Sequence, residues 1–309
     1  MIRARLAAAL LALLPAAGPA AAQNAPVVLG YTAVNEYLPA FVAADAGFFA
    51  ARHVDVTLRL LPNGGVIPPG LVADSLQLGG ITAPLLLQAA SGGLGLVVIA
   101  GDSEVRPENP NGSVVGRADT AIRAPADFIG KRVGVSSVGS FYHVLFRQWL
   151  ADAGVDPARV VFVEVPFNQM GDLLRLGQVD AVTTTQPFIG RLVASGVGRE
   201  ISPFTAHFPA GLLSNVYVAT HAWASAHPAQ IAGFRAAIAD AIAYIPGHKR
   251  QAEAAEAHYL KLTAEQVRAL PFSNYSATVT PAQIATWNRI ALAQGLIDAA
   301  IPASSVLWP

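Results

Sequence analysis

The sequence of 309 residues predicts an α/β fold arranged as two lobes on one plan. Three observations lead there. Short apolar or alternating stretches recur with helical stretches between them, which is the rhythm of a largely parallel sheet carried by crossover helices. A helix end, a strand and a helix-opening proline follow one another at 71–84 and again at 173–187. Beyond residue 219 the spacing of apolar positions turns almost wholly helical.

The first 22 residues are set apart from the fold. Arg3 and Arg5 lead an apolar run over 6–14, and Ala20, Ala21 and Ala22 precede Gln23. That is the form of a secretory signal peptide, with an apolar core too short to span a bilayer. Without this segment the chain carries 18 basic and 20 acidic residues, a formal charge of −2. Such a balance attracts neither nucleic acid nor an anionic membrane surface. There is no cysteine, so stability is expected to come from the core rather than from disulfides, and no lipid can be carried on an N-terminal Cys. No later run is long and uncharged enough to cross a membrane. A free, soluble, monomeric protein of the periplasm is the expectation.

In chain order, residues 27–31 form the opening strand, followed by a polar and aromatic stretch and a helix over 38–51 with Pro39 in its first turn. Val54, Val56, Leu58 and Leu60 alternate with polar residues, the period of a strand. A turn at 62–65 ends it. A short helix at 69–76, a strand at 78–81, a helix at 84–90 and a strand at 96–100 complete the first set. The stretch 102–112 holds Pro107, Asn109, Pro110, Asn111 and Gly112, and is read as an exposed connection near a lobe boundary.

The alternation then resumes. Strands are expected at 113–116, 131–136, 160–164, 179–183 and 200–202, with helical segments at 124–128, 140–153, 170–176 and 187–194. A further strand covers 213–219, and helices cover 228–245, 249–261, 263–270 and 281–294. Thr263 with Gln266 and Thr280 with Gln283 spell capping boxes at two of these helix starts. Ile231, Phe234, Ile238 and Ile242 share one helical face and are packing residues.

The stretch 131–143 is the most informative for function. A strand runs into a helix through Gly134, Ser136, Ser137, Gly139 and Ser140. Small residues let backbone N–H groups approach a ligand, and the free N–H groups of a helix start favour an anionic or strongly accepting one. No lysine follows Gly139 where a phosphate loop requires it, so an NTPase is rejected.

In open α/β sheets ligands bind beyond the carboxyl ends of strands. That selects Asn35, Glu36 and Tyr37 after the first strand, Asn63 after the second, Thr82 after the third and Asp102 after the fourth. It also selects Ser137, Gly139, Ser140 and His143 in the small-residue stretch, Gln186 in the second lobe and Asn215 at the return. Tyr31, Tyr37, Phe141, Tyr142 and Phe188 are placed around the cleft, where rings can clamp a flat or apolar body. Glu36 and Asp102 argue against a bare inorganic anion, which two carboxylates would repel. His143 has no second ligand at metal spacing, and neither Ser137 nor Ser140 lies in a nucleophile elbow. No metal, cofactor or catalytic residue is therefore assigned.

Four blocks carry a family resemblance. They are Leu29-Gly-Tyr31 with Ala44-Asp-Ala-Gly-Phe-Phe49 and Val54-Asp-Val56; the run from Ile122 to Val133, with Asp127, Gly130 and Lys131; Leu150-Ala-Asp-Ala-Gly-Val-Asp-Pro157; and Leu176-Gly-Gln-Val-Asp-Ala181 with Gln186, Pro187 and Phe188. In this order they resemble the substrate-binding proteins of bacterial ABC importers, in the class that includes nitrate-, alkanesulfonate-, taurine- and thiamine-precursor-binding members. The resemblance covers nearly all of 27–300. It implies a two-lobed periplasmic-binding-protein fold of type II, with lobe 1 from 23–113 plus 215–309, lobe 2 from 114–214, and crossings near 112–117 and 208–215.

It further implies a small organic ligand, a sulfonate, carboxylate or heteroaromatic, held at the helix start after Ser137, and delivery to an ABC transporter permease. An enzyme on the same fold, such as a thiamine-pyrimidine synthase, and a receptor for a membrane sensor are the alternatives. The synthases carry a cysteine-rich motif that is absent here.

Overall fold

The computed structural model describes residues 26–309. The expected signal peptide lies outside the described residues. The described residues form ten strands: β1 (Val27–Tyr31), β2 (Val56–Leu60), β3 (Leu78–Thr82), β4 (Leu96–Glu104), β5 (Gly112–Arg117), β6 (Arg132–Val135), β7 (Val161–Glu164), β8 (Ala181–Thr185), β9 (Gly198–Ser202) and β10 (Leu213–Thr220). They form two sheets, ordered β2-β1-β3-β10-β4 and β7-β6-β8-β5-β9.

The two orders are one plan. In each sheet three neighbouring strands run parallel, and the fourth is antiparallel to both its neighbours. The antiparallel strand is in each case the one reached from the other sheet: β5 as the chain leaves the first sheet, β10 as it returns. The expected parallel sheet thus describes β2-β1-β3 and β7-β6-β8, while the sheet-changing strands reverse direction.

The two connections lie side by side. Val105 N–H donates to the Leu212 carbonyl at 2.8 Å, and Gly211 N–H to the Val105 carbonyl at 2.9 Å. Next to them the Thr205 hydroxyl donates to the Gly112 carbonyl at 2.9 Å and accepts from Gly112 N–H at 3.0 Å. A double connection of this kind lets the two halves turn about one short axis.

β1, β3, β8 and β10 are buried over almost their whole length, as expected of strands covered on both faces. The C-terminal helices pack on the first sheet. Ile231, Phe234 and Ile238 of helix Pro228–Tyr244 are fully buried as read from their spacing, whereas Ile242 is only partly covered. Phe234 stacks on Phe49 at 5.4 Å, and the buried Trp287 indole donates to the Leu213 carbonyl at 2.7 Å. Both capping boxes form, at Thr263 with Gln266 and at Thr280 with Gln283.

Several boundaries differ from the sequence reading. The helix expected over 38–51 breaks into Leu38–Asp45 and Phe48–Ala51, because Gly47 takes φ 77°. The helix expected at 69–76 is Ile67–Val72, ended by Asp74 at φ 54°. Short helices at His221–Ala226 and Ala303–Val306 carry no strong periodic signal. Residues 274–277 cover one edge of β4, with Gly101 N–H donating to Ala277 and Glu104 N–H to Asn274, each at 2.9 Å. β4 runs on to Glu104 because the returning strand β10 pairs along the other edge as far as Leu213 opposite Glu104. This pairing is distant in sequence. It turns the expected loop at Asp102 into strand.

Candidate ligand-binding site

A narrow cavity of about 30 Å³ lies between the two sheets. The first sheet's loops contribute Thr32, Val34, Glu36, Tyr37, Gly64 and Thr82, and the second contributes Ser136, Ser140, Tyr142 and Phe167. Asn215 comes from the returning strand β10. A water needs roughly 10–15 Å³, so the cavity has room for about two waters, and the halves must part to admit an organic solute. A wider groove of about 330 Å³, lined by Leu60, Leu61, Pro62, Pro166, Phe167 and Phe188 among others, shares Phe167 with it. Phe167 and Phe188 stack there at 5.2 Å.

Glu36 sits in the short helical turn Asn35–Tyr37 after β1 and is fully buried. Its Oε1 accepts from the Tyr142 hydroxyl of helix Phe141–Asp152. The Thr185 hydroxyl, at the end of β8, lies 2.9 Å from the same oxygen and shares its proton with the Asn111 carbonyl. The Asn111 amide reaches Oε1 at 3.5 Å. Oε2 has no partner. Burial pushes the Glu36 carboxyl up to about 7, against the downward pull of the Tyr142 hydroxyl, its own backbone N–H and the Thr185 hydroxyl.

The hydroxyls of Thr82 and Ser140, which line the same cavity, also lack protein partners. Ser140 caps helix Phe141–Asp152 by its backbone conformation, not by a side-chain bond, leaving first-turn N–H groups of that helix without intrahelical partners. Two rings are fixed by glycines. Gly80 leaves no room for a Cβ against Tyr37, nor Gly112 against Tyr142. The Tyr37 hydroxyl donates to Asn215 Oδ1 at 3.3 Å.

Of the residues selected from the sequence, Glu36, Tyr37, Thr82, Ser140 and Asn215 line this cavity. Asn35 does not: its amide donates to Pro271 O at 3.0 Å and its N–H to Gln186 O at 3.3 Å. Asn63 stands beside the lining Gly64 without lining the cavity itself. Asp102 lies inside β4 and is fully buried, with Ser103 donating to it at 3.3 Å, and burial holds its carboxyl well above the usual range.

The small-residue stretch is largely self-satisfied. Val138 N–H donates to Glu164 Oε1 at 2.6 Å, Gly139 N–H to His143 Nδ1 at 2.9 Å, and Ser140 N–H to Ser137 O at 3.2 Å. Ser137 turns its hydroxyl to Glu164 at 3.4 Å, and the Gly139 carbonyl accepts from Gln88 at 2.8 Å. His143, expected on the cleft wall, is a buried neutral acceptor, its pKa lowered to about 4 by burial and then by Arg147. Gln186 lines a separate groove with Pro187, Arg191, Leu262 and Leu270. Among the aromatics, Tyr31 packs on Phe41 at 5.1 Å and Phe141 on Trp287 at 5.8 Å, away from the cavity lining.

Thr32, Val34 and Phe167 were not singled out from the sequence, nor was Thr185 behind Glu36. Ser136, named in the small-residue stretch, lines the cavity; Phe167 sits in a short turn with no periodicity. Among the described residues no group of three or more His, Cys, Asp or Glu is placed to hold a metal, and no helix is long and apolar enough to cross a membrane.

A model of the NMT1-like family matches residues 20–259, most of the chain. The chain belongs to the NMT1-like family. It is 26% identical over 211 residues to the nitrate/nitrite binding protein NrtA of a Nostoc species, covering 60% of this chain and 48% of the relative. It is 30% identical over 163 residues to a putative thiamine biosynthesis protein of Haemophilus influenzae, covering 52% and 50%. The chain thus spans about half the length of these curated relatives.

Among solved structures of similar fold, the alkanesulfonate-binding protein SsuA from Xanthomonas axonopodis pv. citri, bound to MOPS, has a TM-score of 0.77 at 20% identity, over 93% of this chain and 99% of that one. The periplasmic nitrate-binding protein NrtA from Synechocystis has 0.75 at 15%, over 92% and 86%. The desulfurization enzyme DSZB has 0.65 at 16%, over 92% and 96%. These likenesses establish for this NMT1-like chain the two-sheet periplasmic-binding-protein fold.

Proposed function

We propose that this chain is the solute-binding component of an ABC importer, capturing a small organic solute between two lobes in the periplasm and handing it to a membrane permease. The observation that carries the reading is that polar atoms without protein partners, from both sheets, line one cavity bridged by Glu36. Buried polar groups are normally paired, so a ligand is the natural partner. Membership of the NMT1-like family and a fold shared with nitrate- and sulfonate-binding proteins support it.

In this reading lobe 1 comprises 23–113 with 215–309 and lobe 2 comprises 114–214, a division supported by sheet membership. The protein works as a monomer after removal of residues 1–22. Closure is driven by contacts that exist only when both lobes touch the solute. No bond is made or broken.

The test is recovery of cargo. Purified protein is equilibrated with bacterial growth-medium extract, passed through gel filtration and acid-treated, and the released solutes are identified by mass spectrometry. One solute recovered unchanged supports the reading. Conversion of that solute on prolonged incubation would instead make the protein an enzyme on this fold.

A further inference from the structure

Resting on the receptor reading above, we propose that Glu36 makes the cleft selective for a non-anionic solute bearing an N–H donor, and that oxyanions such as nitrate and sulfonates are excluded. The two oxygens of the Glu36 carboxylate are served unequally. Oε1 is already served by the Tyr142 hydroxyl, with the Thr185 hydroxyl and Asn111 amide within reach. Oε2 belongs to the same fully buried side chain on the cavity wall and has nothing.

A buried carboxylate oxygen left bare costs several kcal/mol unless a donor meets it. The cavity lining holds no Lys, Arg or His that could play that part, so above about pH 7, where the carboxyl is ionised, the donor must arrive with the solute. An oxyanion brings only acceptors and would set negative charge against Glu36 in a water-poor site, where repulsion is poorly screened.

The rest of the wall narrows the class. The Thr82 and Ser140 hydroxyls join Oε2 as fully buried, unpartnered side-chain atoms of residues lining the cavity, and Ser136 adds a further hydroxyl to the wall. Val34, Ile81, Leu85, Phe167 and the rings of Tyr37 and Tyr142 supply the remaining surface, which suits a compact, largely unsaturated body. An amidine, or an amine or amide on a small ring, meets all of these requirements: its N–H faces Glu36, and its opposite edge faces Ser140 and the helix start.

The test compares four probes on the purified protein at mildly alkaline pH: benzamidine, its shape-matched anion benzoate, nitrate and ethanesulfonate, by isothermal titration and thermal shift. Benzamidine is expected to bind at least about tenfold more tightly than benzoate, and Glu36→Gln, which puts an N–H where Oε2 was, to abolish or reverse that ratio. Should Glu36→Gln fail to fold, the wild-type ratio decides alone. Tighter binding of benzoate, nitrate or ethanesulfonate than of benzamidine overturns the assignment of Glu36 and leaves the receptor reading standing. Silence from all four probes counts against both, and recovered cargo from growth medium then shows whether the receptor reading survives.

Discussion

The Thr185 hydroxyl at the end of β8 lies 2.9 Å from Oε1 of Glu36 in the loop after β1, so a carboxylate of the first sheet is held by a side chain of the second. Tyr142 holds the same oxygen. The contacts that join the two sheets here therefore satisfy Oε1 of Glu36 and leave Oε2 open.

Tyr142→Phe should weaken those contacts without emptying the core, since Tyr142 is buried against Phe141 and only its hydroxyl is lost. Hydrogen bonds to charged groups are worth about 1.5–3 kcal/mol. Urea unfolding should show a loss of that order; an unchanged midpoint would mean that Tyr142 does not support Glu36.

Stability should fall as pH rises from mildly acidic to mildly alkaline. Burial pushes Glu36 up to about 7 and Glu256 up to about 8, from an ordinary value of 4.5, and Glu256 is further raised by Glu253 and Glu36. Both groups hold protons more tightly folded than unfolded. Their contribution is complete below about 4.5 and is lost as pH passes about 7 and then about 8. The decline should amount to several kcal/mol, and Glu256→Gln should remove the larger share of it, including all of it above about pH 7. Neither Glu256 oxygen has a hydrogen-bond partner. A flat or rising urea midpoint across this range would contradict the burial of these acids.

Gly80→Ala should displace Tyr37, because the ring edge lies where the new Cβ would go. Overpacking of this kind costs about 1–3 kcal/mol. The thermal midpoint should fall, and retained cargo should fall with it because Tyr37 lines the cavity.

Ser140→Phe should abolish cargo retention while the chain still folds. Ser140 makes no side-chain bond that the helix needs, and a ring there fills the cavity. Retention at the wild-type level would place the solute elsewhere.

Much of the fold was legible in the sequence. Alternation and apolar runs mark β1, β3 and β6, and Thr-x-x-Gln marks two helix starts, because these signals are local. Asp102 was misplaced because its strand is carried on to Glu104 by pairing with β10, a partner no local pattern announces. The site was half legible for the same reason. Glu36, Tyr37, Thr82 and Ser140 follow strand ends, but what makes Glu36 special is Tyr142, Thr185 and Asn111, far away in sequence. His143 carried a usable local clue, four residues after Gly139, whose N–H it accepts.

The account depends on two halves that close over a solute, and the distance between them tests it most directly. The chain has no cysteine, so Leu60→Cys and Val161→Cys, both at exposed positions on β2 and β7, give two clean sites for spin labels. Pulsed electron paramagnetic resonance should find a broad, longer distance in the stripped protein that collapses to a single shorter one with growth-medium extract. One fixed distance, the same with and without extract, would contradict closure.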